Sequence, residues 1–231
     1  MNKKIIVSGE IAYLFACVVL ALSVAMITAT DFGVSMIVAP AYILSRKIGI
    51  SFGQSEYIIQ ALLFIVLCIV LRKIKIVFIS SFVTGLVYGA ILDFWRIVIP
   101  HFNPDITPVG SLPVELRIVY FVVGALLTSF SVAIFFKTYI YPQVYDFFVK
   151  AVSSHFNLNR TIFKTCFDCS CLIVAVIMSL VFFGSFVGIG FGTVIMACFN
   201  GFIIGFFSKI LDKYFDFKPV LKSFSNKFAI E

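Results

Sequence analysis

The chain has 231 residues, of which 61% are apolar and 13% are charged, and its mean hydropathy is +1.11. Soluble domains are usually about half apolar and about a quarter charged, so the composition excludes an ordinary soluble domain and predicts that lipid surrounds most side chains. The net charge of +7 does not indicate nucleic-acid binding, because Lys and Arg cluster at the ends of apolar runs, as they do beside membrane spans.

Six apolar runs of about 20 residues are long enough to cross the membrane as helices. They lie at 11–30, 54–72, 76–99, 117–136, 161–183 and 187–209. The first run is too long for the apolar core of a signal peptide, so we expect an uncleaved first helix. The runs are continuous and do not alternate, which favours helices over a β-barrel. The sequence therefore predicts one all-α membrane domain over 1–231, with a cytoplasmic tail at about 212–231.

Two connections are apolar but too short to cross the membrane. The segment DFGVSMIVAPAYILSRKIGISFG, with Pro40, follows the first span, and KTYIYPQVYDFFVKAVSSHFNLN, with Pro142, follows the fourth. We interpret each as a broken segment, either re-entrant or interfacial.

The distribution of positive charge predicts the orientation of the spans. Four groups of Lys and Arg fall on the cytoplasmic side if both termini are cytoplasmic. Their members are Lys3, Lys4, Arg72, Lys73, Lys75, Lys137, Lys150, Arg160, Lys209, Lys213, Lys218, Lys222 and Lys227. Arg46 and Lys47 are the exception, because they fall on the outer side. Asp93 and Arg96, one turn apart at the outer end of the third span, are expected to pair.

The two halves of the chain resemble each other. Ser23-Val24-Ala25 recurs 108 residues later as Ser131-Val132-Ala133, and the order of span, broken segment, span and span also recurs. Chance similarity between apolar helices is the alternative, and the matching order argues against it. Because each repeat, about 10–99 and about 117–211, holds three spans, the second must be inverted. Inverted repeats with broken segments are typical of secondary transporters, whose substrate site lies between the repeats.

Polar side chains inside the predicted spans are the candidate site. A carboxylate there costs about 2.5 kcal/mol or more unless it is paired, neutralised or hydrated. Asp168 is the most deeply placed acid by sequence, and Lys164, one turn earlier, is its expected partner. Asp168 is either a group that couples transport to a proton or cation, or half of an ion pair that reaches the inner surface.

At the spacing of 108, Gln60 in the first repeat corresponds to Asp168 in the second, and Glu56 corresponds to Lys164. Gln60 either binds substrate or hydrogen-bonds a neighbouring helix. After a four-residue insertion the spacing of the repeat becomes 112, which relates Tyr88 to Asn200. These two residues either line a cavity or pack between helices. The candidate substrate-binding or coupling residues are thus Asp168, Lys164, Gln60, Glu56, Asn200 and Tyr88.

The stretch CFDCSC, residues 166–171, raises the question of a metal or redox site. On a helix the three thiols do not converge on one face, and the two histidines lie in loops. Small side chains that allow close helix packing are the favoured interpretation, and metal or redox chemistry is the alternative. No phosphate-binding loop or nucleophile motif is present. We expect no metal, no cofactor and no enzymatic activity.

Three stretches resemble the YczE-like (YczE/YyaS/YitT) family of bacterial membrane proteins. They are DFGVSMIVAPAYILSRKIGISFGQSEYIIQ, SFVTGLVYGAILDF and GSFVGIGFGTVIMACFNGFIIGFF, and the resemblance covers about 10–215. The family pattern L-G-V-S-P-W-D occurs at 32–38 without its proline, aromatic residue and aspartate, whereas the second half keeps an aromatic–acid pair, Tyr145-Asp146. The resemblance implies a bacterial inner-membrane protein with a transport-related role.

Ala21, Ala25 and Ala29 form a strip of small residues on the first span. The strip either packs within the bundle or binds a partner subunit. Two functions therefore remain open: a secondary transporter for a small solute, and a membrane binding module that serves a partner without transporting.

Overall fold

The computed structural model describes residues 4–72, 76–140 and 143–220. Its helices are α1 (Gly9–Ala29), α2 (Ala39–Ile48), α3 (Phe52–Leu71), α4 (Ile76–Val98), α5 (Val114–Phe135), α6 (Val144–His155), α7 (Arg160–Phe183) and α8 (Phe191–Tyr214), with a 3₁₀ turn at Pro100–Phe102. Two short strands, β1 (Ile5–Ser8) and β2 (Phe215–Lys218), flank the helices. The residues Lys3, Lys73, Lys75, Pro142, Lys222 and Lys227 of the predicted topology lie outside the described ranges, as does the end of the predicted tail.

Six helices, α1, α3, α4, α5, α7 and α8, are long and apolar enough to cross a membrane. By the length and composition of these helices, the prediction of a helical membrane protein with six spans is confirmed. The largest shift of a boundary is in α8, which begins later than predicted because Gly188 takes a positive φ of 71° outside the helix.

Local capping explains where the short helix α2 and its neighbour α3 begin and end. Pro40 lies in the first turn of α2, where its missing N–H costs nothing, so it begins the helix instead of breaking it. Gly49 ends α2 in the left-handed conformation, at φ 71°. Ser51 and Gln54 then form a reciprocal capping box that begins α3.

The beginning of α1 and the ends of α5 and α8 meet at one end of the bundle, which we name the terminal end. Here β1 and β2 form a parallel pair that the sequence did not predict. The Glu10 carboxylate accepts hydrogen bonds from the Tyr139 hydroxyl (2.7 Å) and from the Val220 N–H (3.1 Å). The first and last described residues therefore lie on the same side.

The opposite, distal end joins the end of α1 to the beginnings of α5 and α8. Arg117 Nε donates to the Thr30 carbonyl (2.6 Å), and the Gly192 N–H donates to the Phe32 carbonyl (2.8 Å). Because α1 ends where α5 begins, and begins where α5 ends, these two packed helices are antiparallel.

The main core lies around α1, which packs against both α4 and α5. The Ala21, Ala25 and Ala29 strip is buried in this core, and the first two residues have no exposed surface. The strip therefore packs within the bundle. It offers no accessible surface at which a partner subunit could bind.

The short helices α2 and α6 lie towards opposite ends, and each packs against both α3 and α7. Lys47 near the end of α2 donates to the Phe182 carbonyl (3.2 Å) at the distal end. In α6, Phe147 packs in a cluster with Leu67 and Leu71, near the terminal end of α3.

Candidate functional site

A fully buried polar cluster surrounds Glu56 on α3. Glu56 has no exposed surface and Gln60, one turn later, is 1% exposed. Glu56 Oε2 accepts from Gln60 Nε2 (3.2 Å) and from the Tyr145 hydroxyl of α6 (3.1 Å). Within the described residues, Glu56 Oε1 has no hydrogen-bond partner and the carboxyl forms no ion pair.

Glu56 is thus buried more completely within the protein than Asp168, whose side chain is 19% exposed. A carboxylate inside a span with no cationic partner is unfavourable unless it is neutralised or hydrated. Tyr145 supplies a dependable donor, because burial and then the Glu56 carboxyl raise the pKa of its phenol well above the ordinary value.

Close packing of α3 against α4 positions Gln60. Gly85 lies directly opposite the Gln60 amide, where a Cβ would collide with the amide oxygen. That oxygen also faces the Val144 N–H at the beginning of α6 (3.5 Å). Gln60 therefore contacts α4 and α6 as well as its own helix.

A cavity of about 90 Å³ lies between the two halves of the chain. Its wall contains residues of α1, α4, α5, α6 and α8 and of the 34–38 segment. The polar residues among them include Tyr88, Thr128, Gln143, Tyr145, Asp146 and Asn200. Two of the six predicted site residues, Tyr88 and Asn200, thus line the same cavity from different repeats.

Both short helices begin at this cavity. Val38 precedes α2, Gln143 precedes α6, and both residues line the wall. Tyr88 is 1% exposed, and its hydroxyl interacts with the Gln143 side chain without meeting the geometry of a full hydrogen bond. Asn200 is held by the Ser129 hydroxyl, which donates to its Oδ1 (2.6 Å). The cavity therefore combines helix N-termini with a buried hydroxyl that is only weakly hydrogen-bonded.

Asp168 and Lys164 lie in a second, half-buried network. Lys164 Nζ is 3.3 Å from Asp168 Oδ1, as expected from their spacing, and 3.5 Å from Asp146 Oδ1. Asp146 also lines the cavity, but Asp168 and Lys164 do not. The network therefore reaches the cavity through Asp146, and the predicted site residues fall into two groups joined by the beginning of α6.

The CFDCSC stretch offers no convergent set of thiols. Cys166 and Cys169 are exposed on α7 and Cys171 is half-buried. No group of three or more metal-ligating residues occurs among the residues that the structure describes. Close helix packing, the favoured interpretation from sequence, does not account for the two exposed thiols.

Sequence reasoning missed Gln143, Thr128 and the contribution of Tyr145 to the site. The available signal was the repeat itself, because Ile37 and Val38 correspond to Tyr145 and Asp146 at the spacing of 108. Ile37, Val38, Tyr145 and Asp146 all line the cavity.

The fold and the site define a polytopic helical membrane protein with a buried polar cluster and a cavity between its halves. Over residues 7–209 the chain matches a family of unknown function (DUF6198), and it belongs to that family. It is also 25% identical over 207 residues to the uncharacterized protein YyaS of Bacillus subtilis (strain 168), a match that covers 88% of this chain and 94% of that protein. The predicted resemblance to YczE/YyaS-like proteins is therefore confirmed. No solved structure matches the chain.

Proposed function

We propose that the protein is a secondary transporter for a small solute in the bacterial inner membrane, with both termini cytoplasmic. The observation that carries this proposal is the cavity between the two halves, at which both short helices begin. Short helices with their N-termini at a central site are a feature of transporters built from inverted repeats.

The helix packing supports an inverted repeat. The corresponding helices α1 and α5 are antiparallel. The contact of α1 with α4 corresponds to that of α5 with α8, and the contact of α2 with α7 corresponds to that of α6 with α3. In such a fold the two repeats rock against each other around the site and open it to each side in turn. The two short helices would act as re-entrant gates.

The cavity suits a small, partly polar solute. At about 90 Å³ it is smaller than the roughly 150 Å³ cavity that accommodates benzene, so only a few atoms of a ligand fit in this state. Tyr88, Gln143 and Asn200 would supply hydrogen bonds, and the aliphatic wall would bind the apolar part.

Glu56 is the group best suited to couple transport to a proton or cation. It is fully buried, has no ion-pair partner within the described ranges, and contacts the cavity wall through Tyr145. Asp168, the acid favoured from sequence, already has Lys164 as a partner. In this proposal Asp168, Lys164 and Asp146 hold α6 against α7 while Glu56 exchanges its proton or cation.

We identify no set of residues that converges as a catalytic site within 4–72, 76–140 and 143–220, and we propose no enzymatic activity. A binding module that serves a partner is the alternative, and it loses support because the alanine strip is buried.

Uptake into proteoliposomes tests the proposal. Thermal-shift screening of the purified protein against metabolites and vitamins would first identify a solute. Glu56→Gln should bind that solute but lose gradient-driven uptake by about tenfold or more, since the amide keeps the shape but cannot exchange a proton. Glu115→Gln, an exposed change of the same charge, is the control and should transport normally.

Three results would contradict this proposal. Normal uptake by Glu56→Gln would remove the coupling role of Glu56. Selective loss in Asp168→Asn would return that role to Asp168. Solute binding without flux, together with a stoichiometric partner in purification, would favour the binding module.

A further inference from the structure

A second, larger cavity lies at the distal end of the bundle. Its volume is about 550 Å³, and it is lined by the end of α2, the beginning of α3, the end of α4 and the 103–105 loop. It shares no wall residue with the central cavity. Its charged wall residues are Arg46, Asp93, Arg96 and Asp105.

Arg96 is buried in the wall of this cavity and forms no direct ion pair among the described residues, although Asp93 and Asp105 lie near enough to favour its charge. The residue is 8% exposed and its guanidinium lies over the Phe52 ring, 5.5 Å from the centroid. Its Nε has no hydrogen-bond partner within the described ranges, and it forms no ion pair there. A buried guanidinium in this condition is unfavourable unless something else satisfies it.

The expected pair between Asp93 and Arg96 does not form. Asp93 instead caps α3, because its carboxylate accepts from the Gly53 N–H (2.8 Å) and from the Ser51 hydroxyl. Each carboxylate oxygen therefore accepts one hydrogen bond from the beginning of a helix, where negative charge is favourable. Asp105 is exposed at the rim.

Arg46, the positive residue that the predicted topology left unexplained, faces the same cavity. It is exposed at the end of α2, and its positive charge repels that of Arg96. Both Arg46 and Arg96 line this cavity, and Arg is the side chain that binds carboxylate and phosphate groups through two parallel hydrogen bonds.

We propose that this distal cavity binds an oxyanion, a phosphate or carboxylate group, between Arg96 and Arg46. The group belongs either to a free anion or to the headgroup of an anionic lipid, because the cavity lies at the end of a membrane bundle. The site is independent of the central cavity and does not depend on transport.

Two measurements on the purified full chain test the proposal and separate the two sources. In the first, thermal unfolding is followed with inorganic phosphate and, at equal ionic strength, with chloride. A ligand that binds only the folded state raises the unfolding midpoint. In the second, native mass spectrometry counts phosphatidylglycerol retained by the protein against phosphatidylcholine.

Arg96→Gln and Arg46→Gln should each weaken binding of the active probe about tenfold or more, since each removes a charged donor. Lys47→Gln is the matched control. It removes the same charge from the next residue of α2, but Lys47 lies outside the cavity wall and contacts Phe182. Arg46→Gln, at an exposed position, keeps the test valid if Arg96→Gln fails to fold.

If the Arg variants lose only the stabilisation by phosphate, the ligand is a free oxyanion. If they lose only the retention of phosphatidylglycerol, the ligand is a lipid headgroup. Either supports the site. Binding that is unchanged in both Arg variants, or that falls equally in Lys47→Gln, would overturn it, because only nonspecific charge would then be involved.

Discussion

At the scale of residues, the buried hydroxyls of Tyr145 and Tyr88 have opposite hydrogen-bonding status. Tyr145 donates to Glu56, whereas the Tyr88 hydroxyl has only a weak interaction with Gln143, which lacks the geometry of a full hydrogen bond. Both side chains are at most 3% exposed, so the contrast does not come from burial. Removing a hydroxyl that donates a full hydrogen bond leaves its buried acceptor unsatisfied. That loss costs far more free energy than removing a hydroxyl that donates no full hydrogen bond.

Tyr145→Phe should therefore lower the free energy of unfolding by about 1–3 kcal/mol, because it removes one of the two hydrogen bonds to Glu56. Tyr88→Phe is the matched control and should change it by less than about 0.5 kcal/mol, because only the weak interaction with Gln143 is lost. Denaturant titration in detergent measures both. Equal losses would mean that the Tyr88 hydroxyl is also paired.

At the scale of elements, the two halves of the chain differ in one pair of helices. α3 packs closely along α4, where Gly53 and Gly89 let the backbones approach. The corresponding helices α7 and α8 do not pack along each other over their described residues. Gly201, the repeat counterpart of Gly89, has no atom within 4 Å of where a Cβ would lie.

Gly89→Ala should accordingly destabilise the protein by about 1–3 kcal/mol, because the new methyl group would overlap the Tyr57 ring. Gly201→Ala, the matched change in the second half, should be neutral or stabilising by up to about 1 kcal/mol, since Ala favours the helix over Gly. Thermal unfolding of the two variants side by side measures the difference. A comparable loss in Gly201→Ala would indicate that another helix covers α8 in the membrane.

At the scale of the whole molecule, both ends of the described chain lie on one side and the distal cavity lies on the other. The strand pair and the contact between Glu10 and Val220 hold the two ends together. This arrangement requires an even number of crossings, which the six spans supply.

Cysteine labelling tests this topology in a variant that lacks the six native cysteines. Lys4→Cys and Val220→Cys should react with a membrane-impermeant thiol reagent from the same side, and Asp105→Cys from the opposite side, because all three positions are exposed. In the proposed orientation, intact cells would label only Asp105→Cys. Labelling of position 4 and position 220 from different sides would contradict the fold.

The sequence by itself determined the class of protein, the number of spans and the order of long and short helices. It could do so because the length and composition of each apolar run set whether that run crosses the bilayer, independently of its neighbours. The Lys164–Asp168 pair was equally predictable, because one helical turn separates the two residues.

Only the tertiary structure decided which polar residues share a site. Glu56 meets Tyr145 across 89 positions of sequence, and Asp93 caps a neighbouring helix instead of pairing with Arg96 one turn away. Such contacts depend on how helices cross, and apolar faces that suit lipid suit another helix equally well. Burial of Glu56 and Arg96 without a direct ion pair among the described residues likewise follows from that packing.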